Sequence, residues 1–202
     1  MRIALVDYGA GNPTSVIKAF TSLGAEVSVA RAAADLAGAA AIVVPGVGHF
    51  DATRSLDEEW RRAIGESLHR GRPLFGICLG MQWLFDGSEG APDVAGLGLL
   101  PGLSSRLTGH VKVPHVGWNS LDVRRKDSRL LAGVADHASA YFTHSYAAPV
   151  SDDTIAATQH GVGFAAAVER GQVFGVQFHP EKSGRTGLRI VKNFLDAVSE
   201  QG

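Results

Sequence analysis

The sequence predicts one α/β domain spanning residues 1–202, with a central mixed, mostly parallel sheet flanked by helices and an antiparallel extension in its second half. Three observations predict it. Short continuous β-branched runs alternate with amphipathic stretches over the first 85 or so residues, as in repeated βα units. Strand candidates then crowd together after a glycine- and proline-rich stretch over residues 87–102, a spacing that suits hairpins. Finally, residues 187–199 carry Leu188, Val191, Phe194, Leu195 and Val198 on one helical face that would close over the sheet.

In chain order, Ile3 to Val6 form a strand buried on both faces, ending in the polar turn Asp7-Tyr8-Gly9-Ala10-Gly11-Asn12. Asn12 is the expected cap of the next helix, with Pro13 in its first turn, Val16, Ile17, Phe20 and Leu23 on its apolar face, and Gly24 as its terminator. Residues 26–30 and 40–44 follow as strands separated by a short alanine-rich helical segment. Leu56, Trp60, Ile64 and Leu68 recur in steps of four, which predicts one long helix over residues 51–70. Residues 72–83 read as a buried strand running through a sharp turn into a helix. The later strand candidates are 98–101, 106–108, 116–121, 140–146, 154–159, 164–169 and 173–178.

Composition narrows the function classes. A formal net charge of -1 with mixed acids and bases argues against a nucleic-acid or membrane surface, and Arg124-Arg125-Lys126 reads as a solvated turn. A single cysteine excludes a disulfide framework and a cysteine-rich zinc site, which fits a reducing compartment. The N-terminal run resembles a strand rather than a signal peptide, and no run approaches the roughly 18 apolar residues of a membrane span, so the expected location is cytoplasmic. Neither a metal nor a cofactor is expected.

That cysteine, Cys78, lies between Gly76 and Gly80 at the strand-to-helix turn, the layout of a nucleophile elbow with sulfur in place of oxygen. A helix N-terminus favours the thiolate over the thiol. The pentapeptide alone leaves two readings open: a reactive thiol, or a small buried apolar residue. His179 follows an apolar strand and precedes Pro180 and Glu181, and residues two apart in an extended segment share a face. Glu181 can then orient His179 toward sulfur in a Cys-His-Glu triad; the alternative is a turn histidine beside a solvated acid. Pro45-Gly46-Val47-Gly48 follows a parallel strand at its carboxyl end, where its amides and that of Leu79 can form an oxyanion hole. Gln82, four residues after Cys78, faces the same side of the helix.

Together, Pro45-Gly46-Val47-Gly48, the run from Gly76 to Gln82 and the run from Gly175 to Ser183 resemble in order and spacing the class I (triad) glutamine amidotransferases, along essentially the whole chain. The resemblance implies a glutamine amidotransferase type-1 domain over residues 1–202. In it Cys78 attacks glutamine, His179 shuttles protons and Glu181 orients His179, with oxyanion amides from Val47, Gly48 and Leu79. It also implies that Gln82, Ser145 and Tyr146 surround the bound glutamine. The runs Val6 to Asn12, Lys112 to Asn119 and Tyr141 to Tyr146, with the Lys182-Ser183 pair, are most similar to the glutaminase subunits of imidazole glycerol phosphate synthases, which act in histidine biosynthesis. That similarity implies a heterodimer with a separate (β/α)₈ cyclase that receives the ammonia, and places Trp118, Asn119, Tyr141 and Lys182 on the face toward it.

Read from the residues alone, Trp118 is equally a core aromatic, Tyr141 part of a buried strand and Lys182 a solvated charge. Other readings also stay open: a glutaminase serving another acceptor such as pyridoxal phosphate synthesis, a non-catalytic regulatory subunit, or a peptide hydrolase on the same fold. Coupling to a partner further implies that the 46–48 backbone reorients on binding, because a permanently formed oxyanion hole would waste ammonia.

Overall fold

The computed structural model describes residues 1–11 and 13–200. β1 (Arg2–Val6), α1 (Thr14–Ser22), β2 (Glu26–Ala30), β3 (Ala41–Val44), α2 (Glu58–His69), β4 (Leu74–Ile77) and α3 (Leu79–Trp83) form the predicted βα succession. Then come β5 (Gly87–Ser88), β6 (Leu103–Arg106), β7 (His115–Ser120), β8 (Asp122–Val123), β9 (Ser139–His144), β10 (Tyr146–Ala147), β11 (Thr154–His160), β12 (Val162–Arg170), β13 (Val173–Val176) and α4 (Gly184–Ser199). The main sheet has eight strands in the order β2-β1-β3-β4-β13-β12-β11-β8. Pairing is parallel from β2 through β13 and antiparallel from β13 through β8, as the sequence predicts.

Alternation along β1 shows how both faces are covered. Ile3 and Leu5 join a core with Phe20 of α1 and Phe194 of α4, whereas Ala4 and Val6 join a second core with Trp60 and Ile64 of α2. Phe194 stacks on Phe75 at 4.9 Å between ring centroids and meets Phe20 and Phe174 edge-on. Burying a phenylalanine in this way contributes about 1.5–3 kcal/mol.

Several expectations are corrected. The helix over 51–70 is broken: a 3₁₀ segment, Phe50–Ser55, precedes α2, and Asp57 caps α2 by accepting from the Glu59 and Trp60 amides. The apolar step of four crosses this break because Leu56 packs into the same core without being helical. Residues 98–101 form no strand, and the strand expected at 106–108 lies at Leu103–Arg106. The strand expected over 140–146 divides at Ser145, where the chain leaves its β7 partner and pairs with β6 instead. Leu188 is exposed, and Gly187 and Ile190 take its place on the buried face of α4. Arg125, in the basic run, donates to the Glu169 carbonyl at 2.7 Å instead of standing free in solvent. The Asn12 cap lies outside the described residues.

These connections bring the carboxyl ends of β1, β3, β4 and β13 to one edge of the sheet. β1 and β3 are neighbours whose chains depart to opposite sides, a topological switch point where α/β proteins place their sites. No helix among the described residues is long and apolar enough to cross a membrane.

Candidate active site

Cys78 has φ 54 and ψ -107, a left-handed conformation that a side-chain-bearing residue adopts at a cost of about 1–3 kcal/mol. Its surroundings enforce this geometry. A Cβ on Gly80 would lie 1.8 Å from the Val44 carbonyl oxygen, and one on Gly76 would lie 2.6 Å from the Gly80 carbonyl oxygen. The elbow therefore exists only with glycine at both flanks. The helix after it spans only Leu79–Trp83, too short for much macrodipole to accumulate, so charge control at the sulfur falls to its side-chain neighbours.

Those neighbours are His179 and Gln177. His179 and Glu181 are buried, their side chains 4% and 5% exposed, and His179 Nδ1 lies 2.8 Å from Glu181 Oε1. With that nitrogen protonated toward the carboxylate, Nε2 is left toward Cys78; it makes no hydrogen bond of proper geometry with any described residue. Burial lowers the His179 pKa, but the neighbouring Cys78 sulfur, the Glu181 carboxylate bonded to Nδ1 and the charges of both outweigh it and lift the value to about 9. Gln177 is fully buried; its Nε2 donates to Cys78 Sγ at 3.6 Å, and its Oε1 accepts from Gln82 Nε2 at 3.0 Å.

The raised His179 pKa has a sign-definite effect on stability. Below about pH 6.5 both folded and unfolded chains carry the proton, so the contribution is complete; as pH climbs through about 9 the folded chain loses it too and the contribution vanishes. Urea midpoints should therefore fall more steeply between pH 6.5 and 9 in the wild type than in Cys78→Ala, which removes the sulfur. Parallel slopes would show that Cys78 does not act on His179.

Two hollows flank the 45–48 segment. The larger, about 360 Å³, is lined by Val47, Gly48, Cys78, Leu79, Gln82, Ser145 and Tyr146, uniting the nucleophile with all the oxyanion and substrate residues expected from sequence. The smaller lies behind it, lined by Tyr8, Ala10, Gly11, Gly46, Val47, His179 and Glu181. Gln82 is spent on its own wall, its Nε2 donating to the Tyr146 carbonyl at 2.8 Å as well as to Gln177. The oxyanion amides are also engaged: Leu79 N–H donates to the Gly46 carbonyl at 3.2 Å, and Val47 N–H to the Ala10 carbonyl at 3.3 Å.

Trp118 is 59% exposed, which removes the core-aromatic alternative. It sits opposite Tyr141 across β7 and β9, with the rings edge-on at 6.0 Å, and the Lys182 ammonium lies 6.0 Å from the Tyr141 ring. Asn119 instead points inward, donating to the Gln159 carbonyl at 3.0 Å and lying 3.2 Å from His115. This patch is tied to the triad, because the His179 amide donates to the Tyr141 carbonyl at 2.9 Å.

Sequence reasoning missed Gln177 and Tyr8. Gln177 carried a usable signal, a lone polar residue in an apolar strand two positions before His179. Tyr8 carried none, because its role depends on a contact with a segment 38 residues away.

A sheet whose carboxyl edge presents a strained thiol beside a buried His-Glu pair defines a thiol-dependent acyl-transfer enzyme, and comparison with known proteins supplies the class. A family model described as glutamine amidotransferase class-I matches residues 4–198, and the chain belongs to that family. Two solved structures share the fold with TM-scores of 0.76: one described as a glutamine amidotransferase, 22% identical and covering 97% of this chain and 98% of its own, and PurLQS from Thermotoga maritima, 20% identical and covering 96% and 97%. Within the class the chain belongs with the HisH subunits of imidazole glycerol phosphate synthase. It is 48% identical to the Halobacterium salinarum subunit, over 98% of this chain and 94% of that protein, and 45% identical to the Moorella thermoacetica subunit, over 99% and 97%.

Proposed function

We propose that this chain is the cytoplasmic glutaminase subunit of imidazole glycerol phosphate synthase, hydrolysing L-glutamine to glutamate and ammonia for a separate (β/α)₈ cyclase subunit. There the ammonia reacts with a phosphoribulosyl-formimino carboxamide ribonucleotide, which is converted to imidazole glycerol phosphate as an aminoimidazole carboxamide ribonucleotide is released. Cys78 sulfur attacks the side-chain carboxamide carbon, and His179 gives a proton to the departing nitrogen as the carbon-nitrogen bond breaks, leaving a γ-glutamyl thioester and ammonia. Water then loses a proton to His179 and attacks the thioester, the carbon-sulfur bond breaks, and glutamate leaves with sulfur restored. Glu181 holds His179 in the tautomer that makes both transfers possible.

The observation that carries this reading is the buried His179–Glu181 pair at 2.8 Å beside the strained Cys78, which itself lines a cleft with Gln82, Ser145 and Tyr146. A glutamine-analogue electrophile should label Cys78 and abolish turnover; a chain that stays unlabelled would be a regulatory subunit.

The same reading makes the engaged Leu79 amide a resting state. Catalysis requires that amide, with Val47 or Gly48, to face the tetrahedral oxyanion, so docking of the cyclase with its nucleotide must turn the 46–48 backbone.

The partner face in this reading centres on Trp118, with Tyr141 and Lys182 around it, while Asn119 supports the strand from its inner side. An exposed tryptophan edge-on to a tyrosine with a lysine nearby has the make-up of an interface anchor. Trp118→Ala should weaken partner binding by about 2 kcal/mol or more, roughly thirtyfold in Kd, with little change in Tm. Calorimetric titration checks it, and an unchanged Kd would move the interface elsewhere.

A further inference from the structure

The peptide linking Gly46 to Val47 is held on both edges. Its carbonyl accepts from Leu79 N–H at 3.2 Å, and its N–H donates to the Ala10 carbonyl at 3.3 Å. Rotation that releases the Leu79 amide therefore turns Val47 N–H toward the thiol and swings the Gly46 carbonyl toward the 8–11 loop. There it would meet the Ala10 carbonyl, oxygen against oxygen. A buried carbonyl without a donor is costly, so the rotated state needs a donor on that side.

Tyr8 supplies one. Its hydroxyl is buried and has no hydrogen-bond partner among the described residues. It lines the smaller hollow together with Ala10, Gly46 and Val47. A Cβ placed on Gly46 would lie 2.1 Å from the Tyr8 oxygen, so this oxygen rests directly against the Gly46 α-carbon. Burial, and after it the charge at Cys78, push the Tyr8 pKa up, which keeps the proton on the phenol and the donor available. Native proteins rarely leave a buried hydroxyl unpaired, and one beside a segment that must rotate has a natural partner in the other conformation.

We propose that the Tyr8 hydroxyl receives the Gly46 carbonyl when the oxyanion strand turns to its active conformation, which makes Tyr8 a positioning residue for partner-driven activation. The resting strand is held by Leu79 and Ala10; the active strand is held by Tyr8. This rests on the glutaminase reading above and adds the residue that sets the balance between its two states.

The test is Tyr8→Phe, assayed for glutamate release as free chain and in complex with the cyclase and its nucleotide. Losing one buried hydrogen bond specific to the active state should lower kcat in the complex, and with it the ratio of stimulated to free rate, about tenfold. The KM for glutamine should hold, because Tyr8 does not line the larger cleft. The free variant should melt at or above the wild-type temperature, since the resting state loses only an unpaired hydroxyl. A stimulation ratio equal to that of the wild type overturns the proposal. So does a ratio lost together with a lowered melting temperature, which would mark Tyr8 as a prop of the resting fold. A wild-type chain that the cyclase fails to stimulate would instead contradict the proposed function beneath it.

Discussion

Cys78→Ala should abolish glutamine-dependent synthesis in the assembled enzyme, by a factor of about 10⁴ or more, while synthesis from added ammonia continues. The first half follows from the chemistry, because His179 and Glu181 can move protons but form no bond to carbon. The second follows from the proposed division of labour, in which this chain hands the cyclase only ammonia, and alanine differs from cysteine by one sulfur atom in a site whose shape is set by Gly76, Gly80 and the Val44 carbonyl. Alanine is also no more strained than cysteine at φ 54. Full glutamine turnover by the variant would end the thioester mechanism; loss of ammonia-dependent turnover as well would show that the variant disrupts the complex.

The second large effect concerns the partner. With the Leu79 amide donating to Gly46, a tetrahedral intermediate at Cys78 lacks one of its expected donors. Removing one oxyanion donor costs about 2.7–4 kcal/mol, or 10²–10³ in rate. The free chain should therefore be a poor glutaminase despite a fully assembled His179–Glu181 pair, and the cyclase with its nucleotide should raise the rate by about that factor. A partner that merely improved glutamine binding would lower KM and leave kcat alone, so the two parameters separate the explanations.

Much of this was legible in the sequence, and where it was not the reasons are physical. Cys78 between two glycines and His179 two residues before Glu181 are local patterns; each alone left two readings open, and their order and spacing within the family resemblance joined them. Strands such as Glu26–Ala30 and the helix bounded by Gly24 are likewise encoded within a few residues. The break before Asp57 was hidden because Leu56 keeps the apolar step of four without being helical. The two-residue strands β5 and β8 exist only through pairing with distant chain, so no periodicity announces them. Whether an oxyanion amide is free or blocked depends on which carbonyl lies opposite it. The meeting of Gly46 with Leu79, and of Tyr8 with Gly46, is a property of the packed molecule.

The central claim is that this is a glutaminase held at rest until its partner arrives, and the kcat for glutamate release tests it most directly. It should be measured for the free chain and again with the cyclase and its nucleotide substrate. A rise of about 10²–10³ in kcat on assembly is the predicted result. A free chain already turning over at the rate of the complex, with the Leu79 amide still donating to Gly46, would contradict it.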